Sequence, residues 1–141
     1  MSIGSTVDHC RLINLPKIKN RAGNITPITN NIEIPFAAKR VYYLYDIPGG
    51  EERGGHAHKE LMQLIVAAGG SFNICINDGE KESVINLNQP YYGLLIVPGI
   101  WREIKDFSSG AICLVLASDY YFEADYIRDI NQFREYKKIE S

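Results

Sequence analysis

The stretch GGHAHKELMQLIVAAGG, residues 54–70, sets two imidazoles one residue apart behind a glycine pair and closes with a second glycine pair. In an extended strand alternate side chains share a face, so His56 and His58 point one way and Ala57 the other. The apolar run that follows, residues 61–68, has strand length and ends in a turn signal. Two readings of the imidazoles stay open at this level. They form a polar strand edge facing water, or a convergent pair facing a barrel interior, where they can bind metal or move a proton.

Working outward, the same rhythm repeats. KRVYYLYDI (39–47) stops at PGGEERGG, and SFNICI (71–76) stops at NDGE, whose Asp78-Gly79 pair predicts a hairpin. ESVINLN (82–88) alternates, LLIVPG (94–99) and WREIKDF (101–107) flank a Pro-Gly turn, and AICLVLAS (111–118) reads as a buried central strand. Many short strands at close spacing predict an all-β sandwich or small barrel. After Ser118 the period changes. In EADYIRDINQFREYKKI (123–139), Tyr126, Ile127, Ile130 and Phe133 recur at helical spacing, which predicts a C-terminal helix packed on the sheet.

The chain has 141 residues, 45% hydrophobic and 23% charged, with a net charge of −2. Length and composition predict one domain over residues 1–141. Lys and Arg are scattered without a basic block, which argues against nucleic acid as a partner. Cys10, Cys75 and Cys113 are odd in number and lack metal-type spacing, so free thiols and a reducing, cytoplasmic setting are expected. No apolar run reaches transmembrane length, so no membrane association is expected.

The glycine-flanked H-x-H of residues 54–70, together with GLLIVPGIWRE (93–103), resembles the paired motifs of the cupin family. The resemblance implies a cupin (jelly-roll) small β-barrel with a C-terminal α-helix. Metal-binding cupins place a Glu and a third His where this chain has Gln63 and Arg102. A guanidinium has no lone pair to give and repels a divalent cation, so neither metal nor another cofactor is expected.

Three longer stretches, IPFAAKRVYYLYDIPGGEERGGHAHK, PGIWREIKDFSSGAICLVLASDYY and EADYIRDINQF, resemble the bacterial sugar 3,4-ketoisomerases that act on dTDP-4-keto-6-deoxyglucose. The resemblance covers about Pro27 to Phe133. It implies migration of the keto group from C4 to C3 of a dTDP-linked 4-keto-6-deoxy sugar, through an enediolate, toward a deoxyaminosugar of a glycan. It implies a proton-transfer pair, read with His56 as base and His58 as its helper although their shared strand face leaves the order of the two open, and Arg102 as stabiliser of enediolate charge. Arg40, Arg53 and Arg128 are candidates for the pyrophosphate, against a plain reading as surface ion pairs. Tyr42 shares strand parity with Arg40 and is placed in the pocket. Lys59, from the R-G-x-H-A-H-K motif, and Gln63 complete the substrate-binding set, although Gln63 can equally satisfy a neighbouring strand.

Trp101 has parity opposite to Arg102 and is expected outside the pocket, while Tyr43, Tyr120 and Tyr121 are weaker candidates for stacking on the base. His9 lies outside every motif and is expected to be exposed. Arg102, with Ala22 where family members often carry Arg, leans toward the product with glucose configuration. A homodimer through strand edges is expected. A cupin epimerase and a non-catalytic nucleotide-sugar-binding cupin are the competing readings, with a metal-dependent oxygenase as a third that Gln63 and Arg102 speak against.

Overall fold

The structure is a computed structural model that describes residues 4–140. Its strands are β1 (Arg11–Asn14), β2 (Arg40–Leu44), β3 (Arg53–His58), β4 (Gln63–Gly69), β5 (Phe72–Asn77), β6 (Glu82–Leu87), β7 (Tyr92–Ile96), β8 (Trp101–Lys105), β9 (Ile112–Ala117) and β10 (Tyr126–Ile127), followed by helix α1 (Ile130–Glu140). They form two five-stranded sheets, β1-β7-β4-β9-β2 and β10-β3-β8-β5-β6. Every pairing is antiparallel. The expected all-β jelly-roll arrangement with one C-terminal helix is the observed one.

Alternation decides which side chains meet between the sheets. Ile65, Ala67, Phe72, Ile74, Ile76, Cys113 and Val115 lie buried in the central cluster. Their neighbours Leu64, Val66 and Leu116 point to the opposite face of the first sheet, where Leu15, Ile34 and Phe36 of the N-terminal segment cover them. On the second sheet, Ala57, Trp101 and Ile127 face outward and are covered by Phe133 of α1. The Asp78-Gly79 hairpin forms as expected, with Asn77 opposite Glu82 and Asp78 Oδ1 accepting from the amides of Glu80 and Lys81.

Three features depart from the sequence-based expectation. The helix starts at Ile130, not at residue 123, because the Asp129 carboxylate accepts from the amides of Asn131 and Gln132 and so caps it there. Upstream, Glu123–Asp125 is a single 3-10 turn, and Tyr126 and Ile127 pair as β10 with His58 and Ala57. Ile127 reaches the cluster around Phe133 from a strand, which mimics helical spacing in the sequence. The predicted strand over 39–47 ends at Leu44, and β1, in the uninformative N-terminal stretch, was not foreseen.

The third departure lies in β3. Arg53 pairs with Ile104 and His56 with Arg102, so two residues on β3, Gly54 and Gly55, oppose the single Glu103 on β8. This β-bulge is built on Gly54, whose φ of 81° suits glycine. Strict alternation would send Arg53 and His56 to opposite faces. The extra residue brings both to the same one.

Candidate active site

A cavity of about 310 Å³ opens between the two sheets, lined by Arg40, Tyr42, Arg53, Gly54, His56, Gln63, Arg102, Tyr126 and Arg128 over an apolar floor of Leu44, Ile65, Ile104 and Val115. Strand parity supplies these groups. β3 and β8 give His56 and Arg102 as direct cross-strand partners, while β2 gives Arg40 and Tyr42 from the facing sheet, and β4 gives Gln63. Four guanidiniums line the cavity and no carboxylate does. Its field therefore selects anions.

Arg102 is only 1% exposed. Its Nη1 donates to Gln63 Oε1 at 2.5 Å, and Nε and Nη2 both donate to the Ile100 carbonyl, at 3.3 and 3.1 Å. Burial pulls its pKa down to about 10, which leaves it charged at neutral pH. Gln63 passes the arrangement on, since its Nε2 donates to the Tyr42 hydroxyl at 3.2 Å. A glutamate at position 63 would neutralise Arg102. The amide orients the cation and leaves its charge to the cavity.

Both imidazoles are held neutral. Burial, followed by the charges of Arg102, His58 and Arg128, pushes the His56 pKa down to about 2, and a ring hydrogen bond to the Gly54 backbone opposes this. Burial and then Arg102, Arg40 and Arg128 push His58 the same way, also to about 2. The rings meet edge to face with centroids 4.8 Å apart. His58 Nδ1 sits 3.0 Å from Asp125 Oδ2. The Nε2 atoms of His56 and His58 are buried and have no hydrogen-bond partner among the described residues.

Arginine–aromatic contacts form the rim. The Arg128 guanidinium lies 4.1 Å from the Tyr126 ring centroid and is gripped by Glu123 at 2.8 and 2.9 Å. Arg40 lies 5.1 Å from the Tyr42 ring and 5.5 Å from that of Tyr121. The Nε–Nη2 edge of Arg128 is thus committed to Glu123, and the aromatic rings hold both planar cations in place.

The fold thus gathers Arg40, Tyr42, Arg53, His56, Gln63, Arg102 and Arg128 around one space. His58 is fully buried behind His56 and does not line the cavity. Lys59 lies beyond the end of β3 and faces outer clefts, one of about 410 Å³ beside Asp119 and Tyr120, so it is not in this cavity. Trp101 packs outside against Phe133, at 5.8 Å between centroids. Tyr43 and Tyr120 are exposed on the surface, and exposed His9 accepts the Thr6 amide in a local cap. Two residues were missed, Tyr126 and Asp125. A period-two reading of Tyr126 and Arg128 would have found the first.

The donor set does not fit the divalent metal that cupins often carry. Among the described residues no group of three His, Cys, Asp or Glu side chains converges. The two imidazoles share their volume with the Arg102 cation, and Gln63 Oε1 is already committed to that guanidinium.

The family model described as FdtA: WxcM-like, C-terminal matches residues 8–138. The TDP-4-oxo-6-deoxy-alpha-D-glucose-3,4-oxoisomerase of Aneurinibacillus thermoaerophilus is 45% identical over 126 residues, 89% of this chain and 91% of that protein. Among solved structures, QdtA, a sugar 3,4-ketoisomerase from Thermoanaerobacterium thermosaccharolyticum in complex with TDP, matches with a TM-score of 0.90 at 42% identity, over 92% of this chain and 95% of that one. The WlaRB TDP-quinovose 3,4-ketoisomerase from Campylobacter jejuni matches with a TM-score of 0.85 at 45% identity, over 89% and 97% of the two chains.

Proposed function

The chain belongs to the FdtA (WxcM-like, C-terminal) family, and from that premise we propose that it is a nucleotide-sugar 3,4-ketoisomerase acting on dTDP-4-keto-6-deoxy-D-glucose. The observation that carries the reading is the pairing of a neutral imidazole, with Nε2 unpartnered, and four guanidiniums in one carboxylate-free cavity.

The residues perform the steps as follows. The arginines Arg40, Arg53 and Arg128 bind the diphosphate, and the aromatic rim supports the nucleoside. The C4 carbonyl acidifies the hydrogen on C3, and His56 Nε2 takes that proton as the electron pair moves toward O4. The Arg102 charge stabilises the enediolate that develops. Collapse at O3 forms the C3 carbonyl, the hydroxyl proton of O3 passes to O4, and a proton is returned to C4. Product and substrate are isomers, so no electron leaves the sugar.

Substrate charge also prepares the base. Burial, and after it the charges of Arg102, His58 and Arg128, depress His56 in the free protein. A bound diphosphate places compensating negative charge beside the arginines and lifts His56 toward a useful basicity.

Arg102 and the resemblance to an enzyme named for TDP-quinovose, the 6-deoxyglucose configuration, support a product of glucose configuration. The exposed Val41 and Tyr43 on edge strand β2 support a homodimer. No described helix is long and apolar enough to cross a membrane. The free thiols of Cys10, Cys75 and Cys113 support a reducing, cytoplasmic setting for the single domain.

The test is incubation of metal-stripped protein with dTDP-4-keto-6-deoxyglucose in deuterated water, followed by NMR of the sugar. A 3-keto product, with proton couplings of glucose configuration, is expected, and His56→Asn should lower turnover by about 10²-fold or more with ligand binding kept. Unchanged substrate with the wild-type protein refutes the assignment.

A further inference from the structure

Asp125 lies within the EADYIRDINQF stretch but receives no role from the sequence, yet it makes the closest polar contact of the buried imidazole. Its Oδ2 lies 3.0 Å from His58 Nδ1, and its Oδ1 accepts the Glu60 amide at 2.8 Å. Its backbone is fixed as well, with its carbonyl accepting from the Lys59 amide at 3.0 Å and its amide donating to the Phe122 carbonyl at 3.0 Å. The 3-10 turn is thereby clamped across the end of β3. The carboxylate is nearly buried, at 10% exposure, against a fully buried imidazole.

We propose that Asp125 is a positioning residue of the isomerase, acting through His58 by fixing which ring nitrogen carries the proton. The inference rests on the reading of the cavity as a ketoisomerase site. A carboxylate only accepts, so the nitrogen facing it must be a donor, and His58 is held as the Nδ1–H tautomer. Nε2 then keeps its lone pair in a ring packed edge to face on His56. A proton arriving at this nitrogen forms an imidazolium that is already paired with an anion. When that proton leaves again, His58 regains its starting tautomer, and none is gained or lost over the cycle.

Asparagine separates this role from simple clamping. Asp125→Asn keeps an oxygen for the Glu60 amide and leaves both backbone bonds untouched. It places an amide N–H₂ opposite His58, which inverts the imidazole to the Nε2–H tautomer and removes the inward lone pair.

The experiment combines steady-state kinetics with ¹⁵N NMR of the histidine side chains. Wild-type His58 should show Nδ1–H, and Asp125→Asn should show Nε2–H with kcat lowered by about 10²-fold and KM within about threefold. An Nε2–H tautomer in the wild type overturns the proposal, as does an Asn variant that keeps kcat within about threefold. Should the variant fail to fold, the wild-type tautomer alone decides. The NMR measurement needs no turnover, so an inactive wild type refutes the proposed function separately from this role.

Discussion

The depressed basicity of His56 makes the ligand-free protein acid-sensitive by a calculable amount. Its pKa falls from the ordinary 6.5 to about 2 on folding. A histidine that folds neutral binds a proton only when unfolded, so between these values the unfolded state holds more protons and stability rises with pH. The contribution is therefore fully present above 6.5 and is lost as pH falls through 6.5 toward 2. Between pH 7.5 and 5.0 the loss is about 1.5 pK units at 1.36 kcal/mol each, or about 2 kcal/mol. The assay is urea unfolding of wild type and His56→Asn across that range, without ligand. Asn cannot titrate, and subtracting the two series removes His58 and the carboxylates. The wild type should lose about 2 kcal/mol more than the variant. A difference constant within about 0.5 kcal/mol, or one of opposite sign, would refute the account of His56 as a burial-neutralised imidazole in a cationic cavity.

Phe133 is fully buried against Trp101, so Phe133→Ala should cost about 3–5 kcal/mol in urea unfolding and release α1 from the second sheet. A cost under about 1 kcal/mol would mean that the helix is not what covers this face. Arg128→Ala should weaken dTDP binding by about tenfold or more in calorimetry, since a charge-assisted contact contributes about 1.5–3 kcal/mol. Unchanged affinity would remove Arg128 from the diphosphate site.

Much of this was legible because alternation is a strong constraint. The H-x-H pair, the outward Ala57 and the opposite parities of Trp101 and Arg102 follow from a period of two, and the two-sheet arrangement separates those faces as the period requires. What escaped was local or non-local in kind. Arg53 reaches the His56 side only through the bulge at Gly54, and nothing in the spelling of GG announces a bulge rather than a turn. Tyr126, Ile127, Ile130 and Phe133 fit a helix because a strand residue and a helix residue bury into the same cluster. Asp125 meets His58 across 67 positions of sequence. No local period carries that pairing. Lys59 shared a motif with the histidines, yet its place past the strand end turns it to another cleft.

The cavity combines two demands that conflict in the free protein. A diphosphate needs clustered guanidiniums, and a base needs a pKa near the working pH, yet burial and then the charges of Arg102, His58 and Arg128 drive His56 far below that range. The conflict is resolved if the ligand that the arginines bind is also the charge that screens them. Binding and activation then become one event. The consequence is readable in two pH profiles. The acid limb of kcat/KM reports the free enzyme and should lie at low pH, near the depressed His56 value, while the acid limb of kcat reports the complex and should lie higher, toward 6.5. The nucleotide sugar has no group titrating between these limits, because both its phosphates are already diesters. Coincident limbs would mean that the diphosphate does not reach the base electrostatically. The arginines would then serve affinity alone, and the basicity of His56 would have to be raised within the protein.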